Sequence, residues 1–502
     1  MATHTANSDP RLSFWARVRA YAVPPSMIET ATARRRAGDW AGACAAAGLD
    51  VDLDLRALAR THGRDLAARV RADLRRLAPD LLRWHMPRIA PDGLLRPGLT
   101  VALARYAPAG PDPAGAVHLV VRTAPAWADA GQRMSLALWD ASRPEAVPQA
   151  HPHVRPHPRF RLDLHRHLWD AHRTGELRDR AGTGGPPGPD GPPDRYGPRG
   201  PDGPPDRYGP RGPDGPPDRY GPPGPGGSLP ARLLPEDHGC AVDRWAAEAG
   251  ILLAAEGRTA GTVGVRLGGR RRLALDIAPC ADAAAGGRPV PRIVDARPAG
   301  RDGTRLPVLP DAATWRLPDL DLLRAGAITP EQLHPLVAAA LVPGRAPAGP
   351  PRPPDPAGQP RLVDCRGSLH RIALVDGVLA PLDHDPAELR REELLVALTG
   401  TPLPCLQAVD EAHRRPDCLT GVRERLDHGD VVGALAVVEG LLGPEAVLRD
   451  GPLRAALEAA AGRRIAHGAY RAGLVGAGPD RMHEAARRRR ARRAHPGLGG
   501  IR

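Results

Sequence analysis

The sequence predicts an α+β, multidomain chain of antiparallel β-meanders with helices, a C-terminal helical region and Pro/Gly-rich linkers. Three observations carry that prediction. Apolar residues alternate in short runs bounded by Pro, Gly and Asp, which is the period of a half-buried strand. Helix start signals recur between those runs, with Ser, Thr or Asp placed before Pro or three residues before Glu or Gln. Two Pro/Gly-rich stretches, at 182–230 and 344–360, interrupt a chain of 502 residues that is long for one hydrophobic core. They divide it into an N-terminal α+β domain (1–181), a small α+β domain (231–343), a β-meander plus helical domain (361–475) and an Arg-rich tail (476–502).

The first segment opens with helices. Asp9-Pro10 combines an N-cap with Pro at the first helical position, Ser26-Met27-Ile28-Glu29 reads as a capping box, and Gly38-Asp39 ends one helix and starts the next. Between Arg64 and Leu82, Leu66, Val70, Leu74, Leu77 and Leu81 form one apolar stripe, and the arginines alternating with Asp65, Asp73 and Asp80 read as a solvated face. LTVALARY, AVHLVVRT and RMSLALWD then read as an antiparallel meander, with Phe160–Leu164 as an expected fourth strand. Six of the eight tryptophans (Trp15, Trp40, Trp84, Trp127, Trp139 and Trp169) fall in this segment and read as core.

The 182–230 stretch holds a twelve-residue unit, GPDGPPDRYGPR, present in three near-identical copies from Gly188 to Pro223, the last ending in Pro223 instead of Arg. It has a collagen-like look, but Asp194, Asp206 and Asp218 stand where a triple helix accepts only glycine. The repeat therefore reads as a disordered linker, reaching roughly 110 Å if fully polyproline-like and about 30–35 Å as a Gly-rich coil. Tyr196, Tyr208 and Tyr220, each after an arginine, also allow it to act as a multivalent binding element.

In the second segment TVGVRL and RRRLALDI flank Gly268-Gly269 and predict a hairpin, and Thr329-Pro330-Glu331-Gln332 opens a helix that ends before Pro343. In the third, RLVDC, LHRIALVD and VLAPL predict a three-stranded meander. Asp385 then caps a helical region divided into short antiparallel helices by Gly400, Pro416, Gly429-Asp430 and Gly443-Pro444. GDWAGA at Gly38 and GDVVGA at Gly429 read as two similar αα turns.

Composition excludes more than it selects. All 70 basic side chains are arginine, so chemistry that needs a lysine (P-loop NTPase, protein kinase, pyridoxal Schiff base) is disfavoured. The six cysteines, at 44, 240, 280, 365, 405 and 418, lack the density of a secreted disulfide framework. With no apolar run of signal-peptide or membrane-span length, they suggest a cytoplasmic chain with no membrane partner. Of the formal net charge of +13, the residues from Gly476 onward contribute eight Arg against Asp480 and Glu484.

Six of the nineteen histidines (His151, His153, His157, His165, His167 and His172) fall within 22 residues. His165, His167 and His172 are the weak metal candidates among them; the first three alternate with prolines, and no HExxH motif accompanies the group, so no metal site and no cofactor is assigned. Cys405, His413, Cys418 and His428 lack a C-x(2-4)-C knuckle and read as buried thiols beside exposed imidazoles. His384 stands between Asp383 and Asp385, with Asp385 explained as a helix cap. Cys365 and His370 become a Cys/His pair only if the strands bring them together. Arg487, Arg488, Arg489, Arg490, Arg492 and Arg493 are the candidate nucleic-acid contacts, without the interleaved aromatics that stack on single strands.

DLLRWHMPRIAPDGLLRPGLT in the first segment and RREELLVALTGTPLPCLQAVDEAHRRPDCLTGVRERLDHGD in the third resemble an actinomycete (high-GC Gram-positive) protein family with no assigned activity. The resemblance implies no catalytic residue. The expected function is a cytoplasmic scaffold or adaptor with protein partners. The alternatives are a nucleic-acid-associated protein using the arginine tail nonspecifically, and an enzyme, with metal dependence as one form of it, whose catalytic residues are unknown.

Overall fold

The computed structural model describes residues 9–106, 116–128, 132–140, 142, 151–182, 234, 239–268, 271–279, 291–299, 306–343, 361–365, 367–375, 378–385, 387–392, 403–407, 419–442 and 450–474. The twelve-residue repeat, the second linker and the arginine tail lie outside them. The chain is α+β, with several small sheets, mostly antiparallel, and a helical C-terminal region.

The first segment begins with α1 (Pro10–Tyr21), α2 (Pro25–Arg36) and α3 (Trp40–Ala46). Asp9 caps α1 by accepting from the Arg11 N–H at 2.9 Å, as its sequence predicts. The capping box at Ser26 does not form: α2 starts two residues earlier than that box would set it, at Pro25 behind Pro24 in extended geometry, because proline's fixed φ already suits the first helical position. Gly38 adopts φ 78° and Asp39 accepts from the Gly42 N–H at 2.8 Å. Gly429 (φ 88°) and Asp430, which accepts from the Gly433 N–H at 2.9 Å, repeat this turn. Asp39→Ala and Asp430→Ala should each lower stability by about 1 kcal/mol, measured as a shift in the denaturation midpoint.

A short strand, β1 (Leu49–Asp52), leads into α4 (Leu55–His62), α5 (Arg64–Arg76) and α6 (Pro79–His85). The stripe Leu66, Val70, Leu74, Leu77 and Leu81 is buried throughout, although Pro79 breaks its helix in two. The expected solvated face is only partly exposed. Asp73 is buried, bonded by the Tyr106 hydroxyl at 2.7 Å and by Arg166, and Asp80 is buried against His334 at 3.0 Å.

A two-stranded ribbon, β2 (Arg88–Ile89) and β3 (Leu94–Leu95), precedes the main sheet. The predicted meander forms as β4 (Thr100–Tyr106), β5 (Val117–Thr123) and β6 (Met134–Asp140), paired antiparallel in that order. The fourth strand differs from expectation. It is β1, parallel to β6, whereas 160–164 contributes a single bridge from Arg161 to Ala102 and otherwise turns. The Asp163 N–H bonds the Ala102 carbonyl and the His165 N–H returns to Leu162, which curls this segment away from the sheet. After a 3-10 turn at Arg166–Leu168 comes α7 (Glu176–Arg180).

The second segment places α8 (Trp245–Ala255) against a sheet of β7 (Gly261–Arg266), β8 (Arg272–Pro279) and β9 (Pro291–Pro298). Its hairpin was legible and its third strand was not. Two short helices follow, α9 (Asp311–Thr314) and α10 (Pro318–Arg324). The capping box at Thr329 forms, but on a 3-10 turn; Pro335 then starts a fresh helix, α11 (Pro335–Leu341). Leu322, Ile328, Leu333 and Val337 bury themselves in the core of the first segment beside Trp84 and Trp169, while Trp245 and the β7/β8 leucines and valines form a second core.

The third segment folds as predicted into a meander of β10 (Arg361–Cys365), β11 (Ser368–Val375) and β12 (Val378–Pro381). It continues in α12 (Leu419–His428), α13 (Val431–Leu442) and α14 (Pro452–Arg471). These helices touch the first segment, where Arg83 donates to the His428 carbonyl at 2.9 Å and Arg471 pairs with Asp52. No helix among the described residues is long and apolar enough to cross a membrane.

Candidate anion-binding cavity

A cavity of about 170 Å³ opens where the first two segments meet. Its walls come from α1, from α6 and β2, from 159–181, and from the stretch between α9 and α10. Nine of the lining residues are arginine, one (Asp311) is acidic, and Trp15, Trp84, Phe160 and Trp315 supply flat apolar surface. A guanidinium is planar, always charged and weakly hydrated, so it tolerates partial burial better than an ammonium and stacks on aromatic faces. Arg19 does so, lying 4.4 Å from the Trp84 ring centroid and 5.3 Å from that of Trp15.

Most of these charges are matched. Arg19 binds Asp319 through Nε and Nη2, both at 2.8 Å. Arg159 binds Asp311 the same way, at 2.9 and 2.7 Å. Arg161 pairs with Asp163 and Glu256, Arg180 and Arg244 share Glu248, and Arg11 and Arg316 share Asp321.

Arg88 stands apart. It is 1% exposed and donates to two carbonyls, from Nη2 to Arg83 at 2.7 Å and from Nη1 to Gly93 at 3.4 Å, while its Nε has no partner. Arg83 beside it is also buried and bonds only carbonyl oxygens, those of Ala22, Gln132 and His428. Burial, reinforced by the charges of Arg83 and Arg19, holds Arg88 well below the usual arginine range, and burial with the charge of Arg133 lowers Arg83 to about 10. A buried guanidinium satisfied by dipoles alone is costly, because a carbonyl returns only part of the hydration that a full countercharge would replace.

Two imidazoles on the same wall also have unused ring nitrogens, His85 Nε2 and His167 Nδ1. Burial pushes His85 down to about 3, and burial with the charge of His165 holds His167 well below its ordinary value. Both are neutral at physiological pH, and each can present either a donor or a lone pair. The wall can thus hold a compact anion against Arg88 with a flat apolar part against the tryptophans. A cavity of roughly 150 Å³ is enough for benzene.

The sequence-nominated residues are distributed differently. His165 and His167 are buried and stack edge to face at 5.8 Å, but His165 Nδ1 meets the Arg161 carbonyl at 3.0 Å and its Nε2 lies 3.2 Å from a Glu248 oxygen, while His172 is exposed. His151 bonds the Thr123 carbonyl at 3.1 Å and is lowered to about 4 by burial. His413, Cys418 and Arg487, Arg488, Arg489, Arg490, Arg492 and Arg493 lie outside the described residues. Cys405 and His428 do not meet as a set: His428 packs against Tyr21, whereas Cys405 joins Cys365, His370 and His384, with one ligand atom from each of the four within 4.8 Å of the others. The arginine wall had no signal in the sequence, since its members are scattered from Arg11 to Arg316. No family model matches the chain, and no match was found among curated proteins or solved structures.

Proposed function

We propose that this protein acts by binding, as a scaffold or adaptor that holds a small anionic ligand in the cavity between its first and second segments. The observation that carries this reading is Arg88, a buried cation on the cavity wall whose hydrogen-bond partners are carbonyls and whose Nε has no partner. A phosphate or carboxylate group would supply the missing countercharge. The wall's own carboxylate, Asp311, is already held twice by Arg159 and is committed to that ion pair. The adaptor part of the reading draws on exposure. Seven of the nine large hydrophobic side chains exposed among the described residues lie beyond residue 360, including Leu362, Leu369, Val432 and Ile465, which supports the third segment as the partner-facing part.

The test is thermal unfolding of the full chain with inorganic phosphate, pyrophosphate, nucleoside phosphates and citrate at matched ionic strength. At least one should raise the midpoint with saturation, and a ligand at 100 times its Kd stabilises by about 2.7 kcal/mol. Arg88→Met should leave the ligand-free protein equally stable or firmer by about 1–4 kcal/mol, because it removes a buried charge. The same variant should lose the ligand-dependent increment. If every anion behaved like chloride, or if Arg88→Met responded as the parent does, the cavity would not be an anion site.

A further inference from the structure

We propose that Cys365, His370, His384 and Cys405 form a zinc site that staples the third segment. The strands set two of the ligands. In the β10–β11 hairpin Cys365 pairs with Ser368 and Val363 with His370, so Cys365, Val363 and His370 share one face of the sheet. The third ligand is placed by the turn after β12. Arg371 on β11 grips Asp383 with its backbone N–H at 2.7 Å and its Nη2 at 2.7 Å, and the Leu382 N–H bonds the Arg371 carbonyl at 2.8 Å. These bonds bring His384 over His370, with Nε2 2.8 Å from His370 Nδ1. The fourth comes from a helical turn at 404–407, where Leu403 and Leu406 pack with Val363 and deliver the buried Cys405, its Sγ 3.9 Å from His370 Nδ1.

The geometry and the donor chemistry both fit zinc. Bond lengths of about 2.3 Å to sulfur and 2.0–2.1 Å to nitrogen put tetrahedral ligand atoms roughly 3.3–3.8 Å apart. The two short separations, 2.8 and 3.9 Å, bracket that range, and all four atoms lie within 4.8 Å of one another. Two thiolates neutralise the dication in a half-buried site, each cysteine giving up its proton to solvent as it binds. His384 has an outer partner, for its Nδ1 lies 3.5 Å from Glu388 Oε2, the arrangement in which a carboxylate fixes the ring of a metal-binding histidine.

The segment also has a structural need for the ion. Among the described side chains of the meander and the 403–407 turn, the buried hydrophobic ones are Cys365, Ile372, Leu403 and Cys405, while Leu362 and Leu369 are exposed. So small a core holds a three-stranded sheet poorly without a staple.

Elemental analysis of the full-length chain, purified without chelator, should find about one zinc per chain. After chelation, cobalt(II) should restore the absorption of a tetrahedral dithiolate centre, and zinc should protect Cys365 and Cys405 from alkylation while Cys44 and Cys240 react alike with and without it. Cys405→Ser and His384→Ala should lose the metal. Glu388→Gln should keep the stoichiometry and weaken zinc affinity about 10–100-fold. Because a cysteine variant can fail by misfolding, the cobalt titration and alkylation map of the unaltered chain decide the matter independently. Absence of zinc together with absence of the cobalt–thiolate bands overturns the site, as does unchanged zinc content in Cys405→Ser or copper or iron in zinc's place.

Discussion

Replacing Asp319 with alanine is expected to destabilise the fold by about 3–5 kcal/mol, the range for removing one partner of a buried ion pair. Asp319 is fully buried and accepts three hydrogen bonds, two from Arg19 and one from Trp84 Nε1 at 3.1 Å. Arg19 is equally enclosed, with 3% of its side chain exposed, and also donates to the Trp84 carbonyl at 2.8 Å. Without the carboxylate, the guanidinium stays buried between Trp15 and Trp84 with one carbonyl for company. The expense lies mainly in that stranded cation. A double variant, Arg19→Met with Asp319→Leu, should therefore recover most of the loss. Urea denaturation checks both proteins. A loss below about 1 kcal/mol for Asp319→Ala, the size of an exposed pair, would mean that the pair is hydrated in solution. Arg19 lines the cavity, so anions that bind there should stabilise Asp319→Ala more than the parent.

The second large effect belongs to Glu248. This residue, 3% exposed on α8, binds Arg180 twice at 2.6 Å, binds Arg244 as well, and lies 3.2 Å from His165 Nε2. Burial opposes its ionisation, but hydrogen bonds from His165 and Arg180 and their charges outweigh burial and hold the carboxyl well below the usual range. Glu248→Gln should cost about 3–5 kcal/mol at neutral pH, since it leaves two guanidiniums without their carboxylate. The pH dependence has a definite sign. A carboxyl lowered in the folded state contributes fully above its unfolded pKa, about 4.3, and the contribution fades as acid titrates the unfolded chain first. The gap between parent and variant should thus be constant above about pH 5 and narrow steadily below about pH 4. Thermal midpoints recorded across that range would refute the assignment if the gap widened in acid.

Both carboxylates come from the second segment and neutralise arginines of the first, across the twelve-residue repeat. Arg19 and Asp319 are 300 residues apart and Arg180 and Glu248 are 68 apart. With these first-segment partners that far away in sequence, neither acid could be told from the surface carboxylates around it. Asp319 even reads as an ordinary acidic residue in the first turn of a helix.

Elements whose causes are local were legible. Asp9, Asp39, Thr329 and Asp385 cap turns or helices because a side-chain oxygen needs to reach only two or three residues forward. The two predicted meanders form as consecutive antiparallel strands, although β4 and β5 are buried on both faces rather than one. The pairing of β1 with β6 was not legible, since a four-residue parallel strand between helices carries too short a pattern. Cys365 and His370 are adjacent-strand neighbours that a hairpin could have suggested. His384 and Cys405 join them through a hydrogen-bonded turn and a hydrophobic contact, so the spacing follows no metal-binding motif.

By itself, then, the sequence determined the α+β class, the meanders and several of the helix caps, because propensity and period act over a few positions. Tertiary structure alone decided which arginines are buried, which acids meet them, and which cysteines and histidines converge. Burial makes the difference: in water a guanidinium or an imidazole is a solvated surface group. Inside the fold, where its hydration is gone, its partners and any ligand it recruits depend on what the distant chain brings alongside.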